Sequence, residues 1–401
     1  MSKPTSDCRA TERKHTWPMV RLGDVCNEIK DRIQSSKIAV DEYVTTDNMV
    51  KDRGGVVRAE YVPSGVGLVE YRKGDVLIAN IRPYLKKIWL ADHDGGCSSD
   101  VVVFRTNTDG LSSEYLYSVL SQDAYFEYVM QKPRGTKMPR GDRNWMKEFR
   151  FPLPPLPVQR EIVARLEREL AAVEKMKKGF EALAETAKAE FKAELKEVFE
   201  GLKSGETGIG TDGTNGTVET RRLGEICENL DCRRVPITKS DREVGKYPYY
   251  GASGIVDWVS GYIFDGDYLL VSEDGANLIA RSTPIAFSVS GKIWVNNHAH
   301  ILLFPDLATQ RFVEFYFASI KIDDFVTGAA QPKLTQNALN SIAIPLPSLT
   351  VQREVVARLD LAKARAEKLE TKAREGVAVC ETMRKAILKE AFAPCGAGEV
   401  S

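Results

Sequence analysis

A seventeen-residue stretch written twice constrains this chain more than any other feature. Residues 151–167 read FPLPPLPVQREIVARLE and residues 344–360 read IPLPSLTVQREVVARLD, identical at twelve of seventeen aligned positions. Each copy opens on prolines, Pro152, Pro154 and Pro155 in the first, Pro345 and Pro347 in the second. Proline fixes φ and removes a backbone donor, so this entry is extended and stiff. A helical pattern begins directly after Pro157 and Thr350, where a first turn tolerates proline well. Each copy follows a stretch of globular character, which makes the chain an internal duplication.

The two globular stretches repeat in order. WPMVRLGDVCNEI (17–29) opens the first and ETRRLGEICENL (219–230) the second, sharing Arg-Leu-Gly and placing Cys26 opposite Cys227. Short β-type runs follow at 66–72, 75–81, 86–91 and 100–105, then a helical pattern over 112–131. The second stretch predicts strands at 267–273, 284–289 and 299–304, and a helix near 310–320. Near the end of each, GTKMPRGDRNWMKEFRFPLP (135–154) aligns without a gap to GAAQPKLTQNALNSIAIPLP (328–347).

Apolar residues then step by threes and fours from about Val158 to Glu200 and from about Val351 to Phe392. Sustained heptads with charged flanks describe a coiled-coil seam, and some 43 residues make a rod of about 65 Å. GLKSGETGIGTDGTNGTVET (201–220) is Gly- and Thr-rich and reads as a flexible linker. The expected fold class is α+β: two mixed α/β domains separated by two long helices that form an antiparallel coiled coil, with pseudo-two-fold duplication. The boundaries expected are a tail at 1–16, a domain at 17–155, a helix at 156–200 and the linker at 201–218. A second domain at 219–347, a helix at 348–393 and a tail at 394–401 complete the chain.

Composition excludes several classes. No run approaches eighteen apolar residues, and the first sixteen residues are polar, so neither a membrane span nor a secretory signal is expected. Seven scattered cysteines without a Cys-x-x-Cys suit reduced thiols in a cytoplasmic protein. Formal net charge is zero, with the second globular stretch acidic on balance, so any contact with DNA there has to come from local clusters. Phosphate-loop, dinucleotide-binding, nucleophile-elbow and zinc-protease motifs are absent, as is the Asn-Pro-Pro-aromatic tetrapeptide of amino-methyltransferases. No catalytic residue and no metal site is assigned.

Recognition chemistry is present. Lys132, Arg134, Lys137, Arg140, Arg143, Lys147 and Arg150 cluster on a Gly-containing stretch beside Trp145, the pattern suited to phosphate contact and base-edge reading. The equivalent stretch offers Gln331, Lys333, Gln336 and Asn337, whose amides match adenine. Arg82, Lys86 and Lys87 follow a strand; Ser272, Asn277 and Arg281 stand at the matching place, and Tyr249, Tyr250 and Ser253 lie in a further turn. His298 and His300 share one strand face, which a metal can use, but hydrogen-bonded structural histidines are the simpler reading.

With its doubled Pro-Leu-Pro-x-Leu-x-Val-Gln-Arg-Glu helix starts, paired Arg-Leu-Gly openings and alternation of globule and rod, the chain resembles a type I restriction–modification specificity subunit. The resemblance covers nearly all of it outside the tail and linker. It implies two target recognition domains, each reading half of a split DNA sequence. It also implies two copies of an adenine-N6 methyltransferase subunit held along the helices, joined by an ATP-driven translocating restriction subunit. S-adenosylmethionine, ATP and Mg²⁺ then belong to those partners, in a prokaryotic cytoplasm, and this chain is not itself an enzyme. By the same likeness Gln159, Arg160 and Glu161, with Gln352, Arg353 and Glu354, fall at shared helix starts and serve domain–helix packing or methyltransferase docking. The alternative is a coiled-coil scaffold that binds protein and reads no DNA.

Overall fold

The structure is a computed structural model that describes residues 17–204, 218–328 and 331–392. It divides into two compact units, residues 17–179 with 376–392, and the described residues of 180–375. Among the described residues no helix is long and apolar enough to cross a membrane.

The first unit runs β1 (Met19–Arg21), α1 (Leu22–Val25), β2 (Cys26–Glu28), β3 (Arg32–Gln34), β4 (Tyr43–Val44), β5 (Gly67–Tyr71), β6 (Val76–Ala79), β7 (Ile88–Leu90), β8 (Gly95–Cys97) and β9 (Val101–Thr106). Helices α2 (Ser113–Leu120), α3 (Asp123–Val129) and α4 (Arg143–Lys147) follow, then β10 (Arg150–Pro152) and α5 (Leu156–Ser204). One four-stranded sheet has the order β2-β9-β6-β7, the other β3-β5-β8-β4. The continuous apolar runs in β6 and β9 arise because both faces of that sheet are covered. Val76, Ile78, Val102 and Phe104 face α2, α3 and the long helices, while Leu77, Ala79, Val101 and Val103 face a separate core shared with Val69, Tyr71 and Cys97.

The second unit runs β11 (Glu219–Arg222), α6 (Leu223–Ile226), β12 (Glu228–Asn229), β13 (Val244–Gly251), β14 (Gly254–Val259), β15 (Phe264–Ser272), α7 (Asn277–Ala280), β16 (Ala286–Val295) and β17 (Ala299–Leu303). It continues through α8 (Leu307–Ser319), β18 (Val326–Thr327), β19 (Lys333–Leu334), α9 (Gln336–Ser341), β20 (Ala343–Leu346) and α10 (Leu349–Ala391). Its six-stranded sheet has the order β12-β17-β15-β16-β13-β14. Alternation again splits the strands between two cores: Leu269, Val271 and Leu302 on the helix side, Leu270, Val295 and Ile301 on the other.

Each unit closes its own opening strand onto the strand before its long helix. Val20 pairs with Phe151 in β1–β10, and Arg221 with Ile344 in β11–β20, the same antiparallel register in both. Each unit also holds a segment of both long helices. In the first, Leu166 packs in one core with Leu388 and Phe392, and Lys177 Nζ pairs with Glu381 at 2.5 Å. In the second, Leu195, Val198 and Phe199 share a core with Val355 and Leu359, and the Arg358 guanidinium pairs with Glu194 and Glu197. The facing residue numbers fall on one helix as they rise on the other, so the segments run antiparallel.

The long helices differ from expectation only at their ends. α5 begins at Leu156 and continues to Ser204, so the first residues of the expected linker are helical. The rest of that linker, 205–217, and the expected tails lie outside the described residues. The pattern over 112–131 is not one helix: it breaks between α2 and α3, where Gln122 adopts an extended conformation.

Candidate nucleic-acid interface

The junction of domain and long helix is built around an equivalent buried glutamine in the two units. Gln159 is fully buried; its Oε1 accepts from Ser112 N at 2.9 Å, and its Nε2 donates to the Gly110 and Pro154 carbonyls at 2.7 Å each. Gln352, also buried, donates from Nε2 to the Pro347 carbonyl at 2.8 Å and accepts from Thr309 Oγ1 at 2.8 Å. Proline has already placed the backbone of this entry, and the glutamine fixes where the helix leaves it. Both side chains are buried against groups of their own unit. Arg160, Glu161, Arg353 and Glu354 are exposed, and no ion pair to them occurs among the described residues.

Just before that junction each unit carries a short tongue. In the first, Arg134 and Arg140 exchange both backbone hydrogen bonds at 2.8 and 2.9 Å, with Gly135 at φ 82° turning the chain between them. Two further bonds sew the tongue to the end of β6, Arg82 N to the Pro139 carbonyl at 2.7 Å and Gly141 N to the Asn80 carbonyl at 3.1 Å. In the second unit Thr327 pairs with Lys333, Gly328 turns the chain at φ 87°, Gly275 N donates to the Pro332 carbonyl at 3.0 Å and Leu334 N to the Glu273 carbonyl at 2.8 Å. The two frames share their pairing register, their positive-φ glycine and both bonds to the preceding strand end.

Their side chains do not match. In the basic cluster of the first unit, Arg134 pairs with Asp142 at 2.6 Å, Arg140 with Asp100 at 3.2 Å, Arg143 with Glu28 at 3.0 Å and Lys147 with Glu28 at 2.6 Å. Trp145 stacks on Tyr128 at 4.5 Å between ring centroids and carries Lys132 over its face at 3.7 Å, so this ring is already occupied. Lys86 pairs with Asp123 at 2.6 Å, and Lys87 donates to the Thr46 carbonyl at 2.6 Å. Both lysines are thus engaged by groups of their own unit. Burial alone would raise the Asp123 and Glu28 carboxyls, but the hydrogen bonds and charges of Lys86 and Arg53 on one, and of Lys147 and Arg143 on the other, hold both below the usual carboxylate range. Of the candidate cations in this unit, Arg82 and Lys137, both at the tongue, and Arg150 are exposed without a carboxylate partner among the described residues, as is Lys132 over the Trp145 ring. Arg82 sits in the left-handed region at φ 51°, uncommon for a residue with a side chain.

In the second unit several candidate residues are also turned inward. Ser272 is fully buried and donates to the Ala252 carbonyl. Arg281 donates to the Phe317 and Ile320 carbonyls at 3.1 and 3.0 Å, satisfying orphan acceptors at the end of α8. Asn277 braces its own loop, donating to the Thr283 carbonyl at 3.1 Å and accepting from Thr283 N and Ser282 Oγ. Tyr249 is buried and Tyr250 packs against the outer core, whereas Ser253 is exposed at the β13–β14 turn. Gln331, Gln336 and Asn337 are exposed, the last two in the first turn of α9, and Lys333 is half-exposed while pairing with Glu273 at 3.2 Å.

Asp231, Glu273 and His300 bring ligand atoms within 4.8 Å of one another, a trio the sequence did not reveal. Their needs are met internally. His300 Nε2 donates to the Leu334 carbonyl at 2.8 Å and Nδ1 lies 2.5 Å from Asp231, so protein groups engage both ring nitrogens. Arg234 pairs with Glu273 at 2.6 Å and lies 3.5 Å from Asp231, so positive charge already fills the place. The cluster ties the 3₁₀ turn at 231–233, β17 and the tongue strand β19 together. His298 is separately hydrogen-bonded to Asp274.

Sequence reasoning passed over two features. Met138, at the tip of the first tongue, is half-exposed at 51% although apolar. On the β13–β14 side of the second unit, Lys246 lies over Tyr247 and Lys292 over Tyr262 beside exposed Trp258. The signal for the second was the aromatic density of 247–262.

The model of the type I restriction modification DNA specificity domain matches this chain twice, over residues 14–179 and 215–377. The type I restriction enzyme specificity subunit S.HindORF215P of Haemophilus influenzae is 37% identical over 143 residues, covering 36% of this chain and 37% of that protein. The EcoDI specificity subunit of Escherichia coli is 29% identical over 27% of this chain and 24% of its own length, so these matches span well under half of either relative. The MjaVIII specificity subunit of Methanocaldococcus jannaschii is 24% identical over 86% of this chain and 85% of its own. Among solved structures, a chain from work on assembly and conformational transition of the type I R-M system has a TM-score of 0.75 at 24% identity, covering 94% of this chain and 97% of that one. The HsdS subunit of Thermoanaerobacter tengcongensis has a TM-score of 0.55 at 24% identity, covering 94% and 96%. With both of its units matched, the chain belongs to the type I restriction–modification DNA specificity family.

Proposed function

We propose that each unit reads one half of a split, asymmetric DNA target and that α5 and α10 set the unread gap between the halves. The observation that carries this is the pair of tongues, one backbone frame bearing two different sets of side chains. A duplicated reader with unlike reading surfaces suits two unlike half-sites. The helices further dock two adenine-N6 methyltransferase subunits, through which an ATP-dependent translocating restriction subunit joins, all in a prokaryotic cytoplasm. S-adenosylmethionine, ATP and Mg²⁺ are used by those partners, and this chain contributes recognition without catalysis. Neutral total charge is compatible with that division, since partners embracing the duplex supply further phosphate contacts. Arg82 and Lys137 are the phosphate contacts proposed for the first unit, with Gln331, Gln336 and Asn337 facing bases in the second. Exposed Arg160, Glu161, Arg353 and Glu354 are proposed to meet the methyltransferases. The scaffold reading without DNA is disfavoured by the twofold match to a DNA specificity domain.

The test is methylome sequencing of a host that expresses this chain with its methyltransferase. Adenine methylation in a two-part motif with a fixed gap is the expected result. A continuous motif, or methylation unchanged from the parent host, overturns the proposal.

A further inference from the structure

We propose that position 138 of the first unit and position 331 of the second are equivalent base-reading positions, Met138 selecting a thymine methyl group and Gln331 selecting adenine. This rests on the reading of both units as DNA readers and names the side chain that discriminates in each.

The equivalence comes from the backbone. Met138 and Gln331 each stand just before the proline whose carbonyl accepts from Arg82 N or Gly275 N, and three residues after the glycine of positive φ. A residue before proline is held extended, so its side chain has a defined direction. The residue after the proline is anchored as well, Arg140 to Asp100 and Lys333 to Glu273, each at 3.2 Å. The frame is thus braced directly after the position, and the occupant is left outward. Met138 is 51% exposed and Gln331 is exposed, with no hydrogen bond from either side chain among the described residues.

An outward methionine on a rigid tip exposes apolar area that folding does not require. In the major groove the one apolar feature that distinguishes a base is the thymine methyl, whereas an amide pairs bidentately with adenine N6 and N7. The unpartnered cations Arg82 and Lys137 flank Met138 and supply the phosphate contacts that hold a tip against a groove. Two residues of opposite character at one braced position therefore give the two units different preferences without any change of scaffold.

The experiment uses the full chain assembled with its methyltransferase on duplexes carrying the target it methylates. Thymines of the first half-site are replaced singly by uracil, which removes only the methyl group. One replacement should weaken binding about 4-fold, the effect of one buried methyl-sized group, and Met138→Ala should bind that duplex and the thymine duplex equally. Met138→Gln should shift preference toward adenine at that one position by about 10-fold with the second half-site unchanged; Gln331→Met should alter only the second. A first half-site without thymine, uracil duplexes that all bind as the parent does, or an unaltered motif from Met138→Gln each overturn the proposal. Failure of the underlying reading looks different: Arg82→Ala with Lys137→Ala would leave affinity for every duplex unchanged in a folded complex.

Discussion

Gln159 shows how much of this architecture rests on single buried amides. It meets three backbone groups from two segments, and truncation leaves all three without this partner, the Pro154 carbonyl in a buried place and the other two half-buried. Gln159→Ala should therefore lower stability by about 2–4 kcal/mol, the cost of unsatisfied buried groups, whereas exposed Arg160→Ala should stay within about 0.5 kcal/mol. Urea unfolding followed by circular dichroism separates the two. Glu28 makes a second case. Its partners Lys147 and Arg143 hold its carboxyl below the ordinary range despite burial. A folded pKa below the unfolded one means that its stabilisation is present above the unfolded value of about 4.3 and is lost as pH falls through the lower folded value. Unfolding midpoints should accordingly drop as pH falls below about 4.3, and Glu28→Gln should be less stable at pH 7 with a shallower acid slope.

Among the elements, the tongues are where glycine is irreplaceable to different degrees. A Cβ on Gly328 would stand 2.5 Å from the Gln331 carbonyl oxygen, whereas one on Gly135 would meet nothing closer than the Met138 carbonyl at 3.7 Å. Gly135→Ala should cost only the left-handed backbone, about 1–2 kcal/mol. Gly328→Ala has to open the turn between β18 and β19 as well, so reading of the second half-site should fail while the first persists, as methylated-DNA sequencing would reveal. Neither tongue was legible as a paired element, because its partners at 80–82 and 273–275 lie far away in sequence. The same distance hid the fate of the basic cluster: charge density at 132–150 is plain, but Asp100 and Glu28, which neutralise Arg140 and Arg143, are remote. The break after α2 has this origin too, since Arg53 takes the Ser121 carbonyl and pairs with Asp123. Long helices and the inner strands were readable from local period, by contrast, although β16 runs six residues past its expected end and β13 and β14 were not anticipated. Periodicity reports which face is buried; it is silent on which charges meet.

Duplication makes one molecule carry two readers, and the long helices join them in sequence. α5 has 49 residues and α10 has 43. The proposal that they set the unread gap has a quantitative consequence. Removing seven residues from each at facing positions leaves the apolar seam almost in phase, because seven residues fall within about 20° of two whole turns. The same deletion shortens each helix by about 10 Å, or roughly three steps of a 3.4 Å duplex. The methylated motif should then keep both half-sites and lose about three base pairs of gap. Three steps also turn the duplex through roughly 100°, given about 10.5 base pairs per turn, so affinity for the shortened target should fall below that of the parent for its own. Deleting four residues from each helix instead rotates the seam by about 40° and should act first on thermal stability, by misaligning residues such as Leu166 and Leu359 with their cores. Methylome sequencing beside thermal melts of both deletions distinguishes these outcomes: half-sites that change while the gap stays constant would mean that the helices hold partners but do not measure DNA.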